Sequence, residues 1–252
     1  MSEGAATLKA SDVTKRYEDG TLALDCLNLE VRQGEVYCLL GANGAGKTTT
    51  IHLFLGFIAP TSGTCFIRGI DVAREPIEAK KHVAFVPENV TLYGGFTAAQ
   101  NLRFFARLGG RERLTRADSE SLLRRVSLQP EDLDQRLRNF SKGMRQKLGI
   151  AIAIAKDSEA VLLDEPTSGL DPKAAAEFQD LLSELRSQGK AILMSTHDIF
   201  RAQEIGDRIG IMKEGRLVAE QSREELRSRD LVRVYLDFMA SPPGAETSRA
   251  SG

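Results

Sequence analysis

Residues 41–48 read Gly41-Ala42-Asn43-Gly44-Ala45-Gly46-Lys47-Thr48, with Thr49 next. A glycine-rich turn of this kind lets successive backbone N–H groups converge on an anion. The Lys47 ammonium then reaches the β- and γ-phosphates of a nucleoside triphosphate, and the Thr48 hydroxyl suits Mg²⁺. A second constellation lies far downstream. Val161-Leu162-Leu163-Asp164-Glu165 is an apolar run ending in two acids. An Asp at the end of such a strand suits Mg²⁺ beside a phosphate loop, and the adjoining Glu suits a general base for water.

These residues need a scaffold, and the surrounding pattern supplies one. The apolar run 35–40 before the loop predicts a buried strand, and 47–55 after it predicts a helix. That context places a helix N-terminus at the phosphates. Residues 8–13 and 26–31 are rich in strand formers, with a turn at Tyr17-Glu18-Asp19-Gly20 between them. Strands at 64–67 and 83–86 alternate with a helix at 76–81, the rhythm of a parallel α/β core. From about 90 to 157 the signals are helical, at 98–108, 116–126 and 141–155. The α/β rhythm then returns, with strands at 160–163 and 191–194, helices at 172–188 and near 198–205, and a hairpin over 208–220. The expected fold class is therefore a mostly parallel sheet with flanking helices. To it are added an N-terminal antiparallel β subdomain and an inserted helical subdomain. One domain is expected over residues 1–240, the insertion at about 90–157, and a disordered Ser/Pro/Gly/Ala-rich tail at 241–252.

Composition narrows the class. The 252 residues are 42% hydrophobic with net charge −1, which argues against a general polyanion binder. Residues 101–156 hold thirteen Lys/Arg against six Asp/Glu; a solvated helical face is the favoured reading of this excess, and a surface for acidic partners or anionic lipid headgroups the competing one. Cys26, Cys38 and Cys65 lack metal-type spacing and read as small, reduced, buried hydrophobes. No leader pattern is evident, and no segment nears the ~20 apolar residues that a membrane span needs. Any membrane role is expected to run through a partner.

Between the two constellations lies Phe140-Ser141-Lys142-Gly143-Met144-Arg145-Gln146, and after them come Ser168-Gly169-Leu170-Asp171 and Ser195-Thr196-His197-Asp198. This ordered set resembles the nucleotide-binding subunit of ATP-binding cassette (ABC) transporters over roughly residues 8–220. Its wording around 56–63 and 140–144 is similar to exporters of the ABC-2 type. The resemblance implies ATP and Mg²⁺ as cofactors and ATPase activity. It implies that Gly41, Asn43, Gly44, Ala45, Gly46, Lys47, Thr48 and Thr49 bind nucleotide, and that Tyr17, 24 positions before Gly41, stacks on adenine. Ser141 and Gly143 open a helix whose N-terminus would bind the γ-phosphate of nucleotide held by a second subunit. Asp171 would join the nucleotide-binding set and communicate across that dimer. Glu165, His197 and Glu88 would be catalytic, and Thr48, Asp164 and Glu88 would serve the metal. Glu88 departs from the family, which usually has Gln at this position; the role is expected to persist with added negative charge near the phosphates.

The partners implied are a second cassette, in a homodimer or a heterodimer with head-to-tail ATP sandwich, and integral membrane permease subunits. No nucleic acid is expected. The implied location is cytoplasmic, peripheral on the inner face of the cell membrane. The alternative is a soluble ABC-type ATPase acting on nucleic acid or ribosomes.

Overall fold

The computed structural model describes residues 6–228 and 231–240; the tail expected at 241–252 lies outside them. In chain order the strands are β1 (Ala6–Arg16), β2 (Leu22–Arg32), β3 (Val36–Leu40), β4 (Ser62–Ile67), β5 (Ile70–Asp71), β6 (Val83–Val86), β7 (Ala160–Asp164), β8 (Ala191–Thr196), β9 (Arg208–Lys213) and β10 (Arg216–Ser222). The helices are α1 (Lys47–Phe54), α2 (Pro76–Lys81), α3 (Ala98–Leu108), α4 (Arg116–Arg125), α5 (Lys142–Lys156), α6 (Pro172–Ser187), α7 (Ile199–Ile205), α8 (Arg223–Ser228) and α9 (Leu231–Ala240).

Two sheets result. Strands β2-β1-β4-β5 form an antiparallel sheet, and β10-β9-β3-β8-β7-β6 form the second. In the second, β9, β3, β8, β7 and β6 run parallel, and only the β9–β10 hairpin is antiparallel. Strands β3, β7 and β8 are buried on both faces, which is why their sequences are continuous apolar runs rather than alternating ones. Their side chains divide by parity. Val36, Cys38, Leu40, Val161, Leu163, Ile192 and Met194 face a core shared with the helical segment and α6. Tyr37, Leu39, Leu162 and Leu193 face a core shared with α1 and the antiparallel sheet. Burial pushes the Cys38 thiol up from its ordinary range, and the Cys65 thiol up to about 12, so both stay neutral in the core. Cys26 departs from expectation: it is exposed, in a β2 position with φ 50° where the register with β1 shifts. The bulge turns it out of the alternation.

The inserted helices begin where their caps dictate. Thr97 and Thr115 each accept from the backbone N–H three residues on, and Gln100 and Asp118 return the bond, completing capping boxes. Leu102 of α3, Leu123 of α4 and Leu148 of α5 are fully buried together. Two 3-10 turns, at Pro130–Asp134 and Leu137–Asn139, lead into α5. Some of the basic side chains here are paired, for example Arg116 with Asp134 and Glu120, and Lys147 with Glu177. Truncation of the central leucine, Leu102→Ala, should cost about 2–5 kcal/mol, measured by urea denaturation.

Candidate functional site

The site forms where β3, β7 and β8 end side by side. Parallel strands all present their carboxyl ends at one edge, the place where open α/β sheets accept ligands. Asp164 pairs with Ser195 across β7 and β8, and Leu40 with Thr196 across β3 and β8. The loop after β3, the acids after β7 and the histidine after β8 therefore meet without any long connection.

Backbone geometry shapes the loop. Gly46 caps α1 with φ 106°, and a Cβ there would fall 2.7 Å from the Ala23 carbonyl oxygen and the Leu24 side chain. A Cβ at Gly41 would fall 2.6 Å from the Met212 carbonyl oxygen. Glycine is thus demanded by conformation at one end of the loop and by packing at the other. Asn43 and Gly44 are exposed at its tip, while Ala45 and Lys47 are buried. The Lys47 ammonium donates to the carbonyls of Gly41 at 2.7 Å and Ala42 at 3.2 Å. It also lies 3.4 Å from Glu165 Oε1.

The two acids are aimed by one hydroxyl. Ser195 Oγ, fully buried, donates to Asp164 Oδ1 at 2.5 Å and accepts from the Glu165 backbone N–H at 2.9 Å. Glu165 itself sits at φ 46°, a region uncommon for a residue with a side chain. That turn sends the two carboxylates different ways. The Asp164 carboxylate accepts from Thr48 Oγ1 at 3.0 and 3.2 Å. The Glu165 carboxylate reaches Lys47 with Oε1 and His197 Nδ1, at 2.9 Å, with Oε2. Its Oε1 is buried and, despite the nearby ammonium, meets no donor in hydrogen-bond geometry, so it retains capacity for another donor such as water.

Thr48 and Asp164 offer two hard oxygen ligands. Among the described residues no cluster of three or more His, Cys, Asp or Glu could hold a metal by itself. A two-ligand pair fits Mg²⁺, which keeps several waters and shares phosphate oxygens rather than filling an all-protein cage.

The other residues to which the sequence points are distributed around this centre. Tyr17 is 37% exposed; its hydroxyl lies 3.4 Å from Thr49 Oγ1, beside the start of α1, and the Lys15 ammonium lies 5.2 Å from its ring centre. Glu88 is exposed after β6, and Ser168 Oγ donates to it at 3.4 Å; it makes no bond to Asp164 or Glu165. Ser141 caps α5, accepting from Met144 N at 3.2 Å, and is exposed. Gly143 lies beside Leu170, and Asp171 caps α6 by accepting from Ala174 N at 2.9 Å. No hydrogen bond or ion pair among the described residues joins Ser141, Gly143 or Asp171 to residues 41–48 within this chain. Two elements therefore stand apart: a loop-and-acid centre, and an exposed helix N-terminus. Of the other histidines, His82 pairs with Glu159 and Glu78, and His52 packs against Phe57. Sequence reasoning misses Ser195, although it opens the Ser195-Thr196-His197-Asp198 segment; a polar residue closing an otherwise apolar strand is the signal that could have found it.

The ABC transporter family profile matches residues 24–168. The chain belongs to the ABC transporter family. It is 37% identical over 235 residues to the bacitracin transport ATP-binding protein BcrA of Bacillus licheniformis, covering 93% of this chain and 75% of that protein. It is 36% identical over 236 residues to the Nod factor export ATP-binding protein I of Cupriavidus metallidurans, covering 92% and 78%. Of the longer ABC transporter ced-7 of Caenorhabditis elegans, 38% identical over 211 residues and 83% of this chain, it spans only 12%. A solved dimeric ATP-binding cassette in a post-hydrolysis state, bound to ADP and Pi, superposes with a TM-score of 0.78 at 28% identity, covering 86% of this chain and 98% of that one. This chain thus carries the ATP-binding, ATP-hydrolysing cassette of an ABC transporter, with the α/β fold expected of it. The nucleic-acid alternative gains no support. Among the described residues no helix is long and apolar enough to cross a membrane.

The Ser195 hydroxyl should be worth more than an ordinary surface bond, because removing it takes the acceptor from the Glu165 backbone N–H and leaves Asp164 Oδ1 with only the longer Thr48 contact. Ser195→Ala should destabilise the fold by about 1–3 kcal/mol, read from the shift of a urea unfolding midpoint.

Proposed function

We propose that this chain is the ATP-hydrolysing subunit of an ABC exporter. In this reading two cassettes close head to tail on ATP, and the closure drives separate membrane permease subunits. The observation that carries it is the Glu165 carboxylate, set between Lys47 and His197 beside the Thr48–Asp164 pair. The nucleotide-binding domain covers residues 1–240, with its helical subdomain at about 90–157 within the α/β core. The subunit is placed in the cytoplasm, held to the inner face of the membrane by its permease. The similarity to a Nod factor export protein favours export, and the likeness to a dimeric cassette favours the sandwich.

Each residue has a physical task in this mechanism. The backbone N–H groups of Gly44, Ala45, Gly46, Lys47, Thr48 and Thr49 cradle the phosphates, with Gly41 and Asn43 shaping the turn. Lys47 moves its ammonium from loop carbonyls to the terminal phosphates. Tyr17 offers its ring to adenine, which gives affinity with little base discrimination. Thr48, Asp164 and Glu88 would hold Mg²⁺, which when bound would offset phosphate charge. Glu165 orients the attacking water and accepts its proton, and His197 holds the Glu165 carboxylate while facing the terminal phosphate. Ser141 and Gly143 of the partner subunit close over that phosphate with an N-terminal helix dipole. Asp171 lies next to this junction.

Glu165→Gln should retain ATP binding, release phosphate at least about 100-fold more slowly, and accumulate ATP-dependent dimers by size-exclusion chromatography. Unchanged phosphate release would remove Glu165 from the chemistry. Lys47→Ala should raise the ATP dissociation constant by about tenfold or more, measured by titration calorimetry.

A further inference from the structure

Residues 87–97 join β6 to α3, and the two ends of this loop answer to different parts of the molecule. Near its start, Glu88 meets Ser168, in the connection after β7, at 3.4 Å. Further on, the loop is tied to the helical segment. The fully buried Asn101 of α3 accepts from Tyr93 N at 2.9 Å and donates to the Tyr93 and Thr97 carbonyls at 3.1 and 3.0 Å. Leu137 N and Arg138 N donate to the carbonyls of Phe96 and Gly94 at 3.0 and 3.1 Å. Val90 and Leu92 pack against the core that the helical segment shares with the sheet.

Val90 is the tie nearest to Glu88, and it is seated in a notch of α5. A Cβ at Gly149, a buried residue within that helix, would fall 2.9 Å from Val90 Cγ2 and 3.0 Å from Cγ1. Carbon atoms in ordinary contact stand about 3.5–4.0 Å apart, so the valine fills the space that a side chain at 149 would take. Turning Val90 offers no escape. Its two methyls share three staggered positions, so every rotamer keeps at least one methyl on the side of the notch. Gly149 lies in regular helix and not at a positive φ, so the backbone does not demand glycine there. Glycine weakens a helix interior; the close approach of Val90 is what accounts for it.

We propose that Gly149 is a positioning residue for ATP hydrolysis: the notch it leaves seats Val90 and thereby fixes where the Glu88 carboxylate stands, two residues away. This depends on Glu88 serving the nucleotide site, the role assigned to it under the proposed function. The link also joins two sites. Helix α5 opens at Ser141, the end that meets nucleotide held by the other subunit, and through Gly149 the same helix holds the Glu88 loop of its own chain. A shift of α5 at one nucleotide is therefore carried to Glu88 at the other.

Four variants of the full chain test this: Gly149→Ala, Val90→Ala, the two together, and Glu88→Ala as a reference. Hydrogen exchange of residues 87–92 is followed in the nucleotide-free chain, and ATP turnover and the ATP dissociation constant are measured well below the melting temperature. Alanine at 149 favours the helix, so a loss there comes from the contact and not from α5 itself. Gly149→Ala pushes Val90 out and Val90→Ala leaves a gap. Each should speed exchange across 87–92 and lower turnover about tenfold, with ATP affinity little changed. In the double variant the new Cβ stands 3.6 Å from the Cβ of residue 90, an ordinary contact. Exchange and turnover should then return to within about twofold of the unaltered chain, whereas two independent structural losses would add. Glu88→Ala should lower turnover and leave exchange at residues 90–92 unchanged. Unaltered turnover in Glu88→Ala would remove Glu88 from the reaction and the proposal with it. Turnover lost in Glu88→Ala but kept in Val90→Ala would overturn the role of Gly149 alone, and so would a double variant no better than the single ones. Val90→Ala decides the matter even if Gly149→Ala fails to fold.

Discussion

The constraint on which this structure depends is the placement of one buried hydroxyl between two acids. Ser195 Oγ binds the Asp164 carboxylate and the Glu165 backbone N–H at once. It can do so because β7 and β8 are adjacent parallel strands in a register that sets Asp164 against Ser195. The Asp164 carboxylate turns toward Thr48 and the Glu165 carboxylate toward Lys47 and His197. Two neighbouring residues of like charge thus serve different neighbours. The positive φ of Glu165 is the conformational cost of that divergence.

The rest of the cassette secures this edge. Both faces of the parallel sheet are covered, one by α1 and the antiparallel sheet, the other by the helical segment and α6. Such strands cannot slide without moving every side chain to the wrong core. The loop after β3 is pinned in turn by close contacts of Gly41 with Met212 and of Gly46 with Ala23 and Leu24. Precision at the site is therefore a property of sheet register more than of the loops that carry the chemistry.

Much of this is legible in the sequence because the signals are local. The run Val83-Ala84-Phe85-Val86 and the helix at 76–81 appear with the bounds expected, since a short apolar run between polar turns leaves little freedom. The phosphate loop is legible for the same reason, as its spacing is its function. Ser195 is not, because its role comes from a residue 31 positions away brought beside it by strand pairing. The bulge that exposes Cys26 also depends on cross-strand register rather than composition. The short strand β5 and the 3-10 turns before α5 carry too few residues for periodicity to register. The exposed cap of α5 at Ser141 can be read as a helix start from sequence; its separation from the loop within one chain needs the fold.

That separation is the centre of the functional account: a loop-and-acid centre in one chain and an exposed helix N-terminus to be supplied by another. The most direct measurement is the steady-state ATPase rate per subunit across a wide range of protein concentration, at saturating ATP and Mg²⁺. A site completed by a second subunit predicts a specific activity that rises with concentration and then saturates as dimers form. A specific activity that stays constant from the most dilute sample upward would show that one chain hydrolyses ATP alone and would contradict the account.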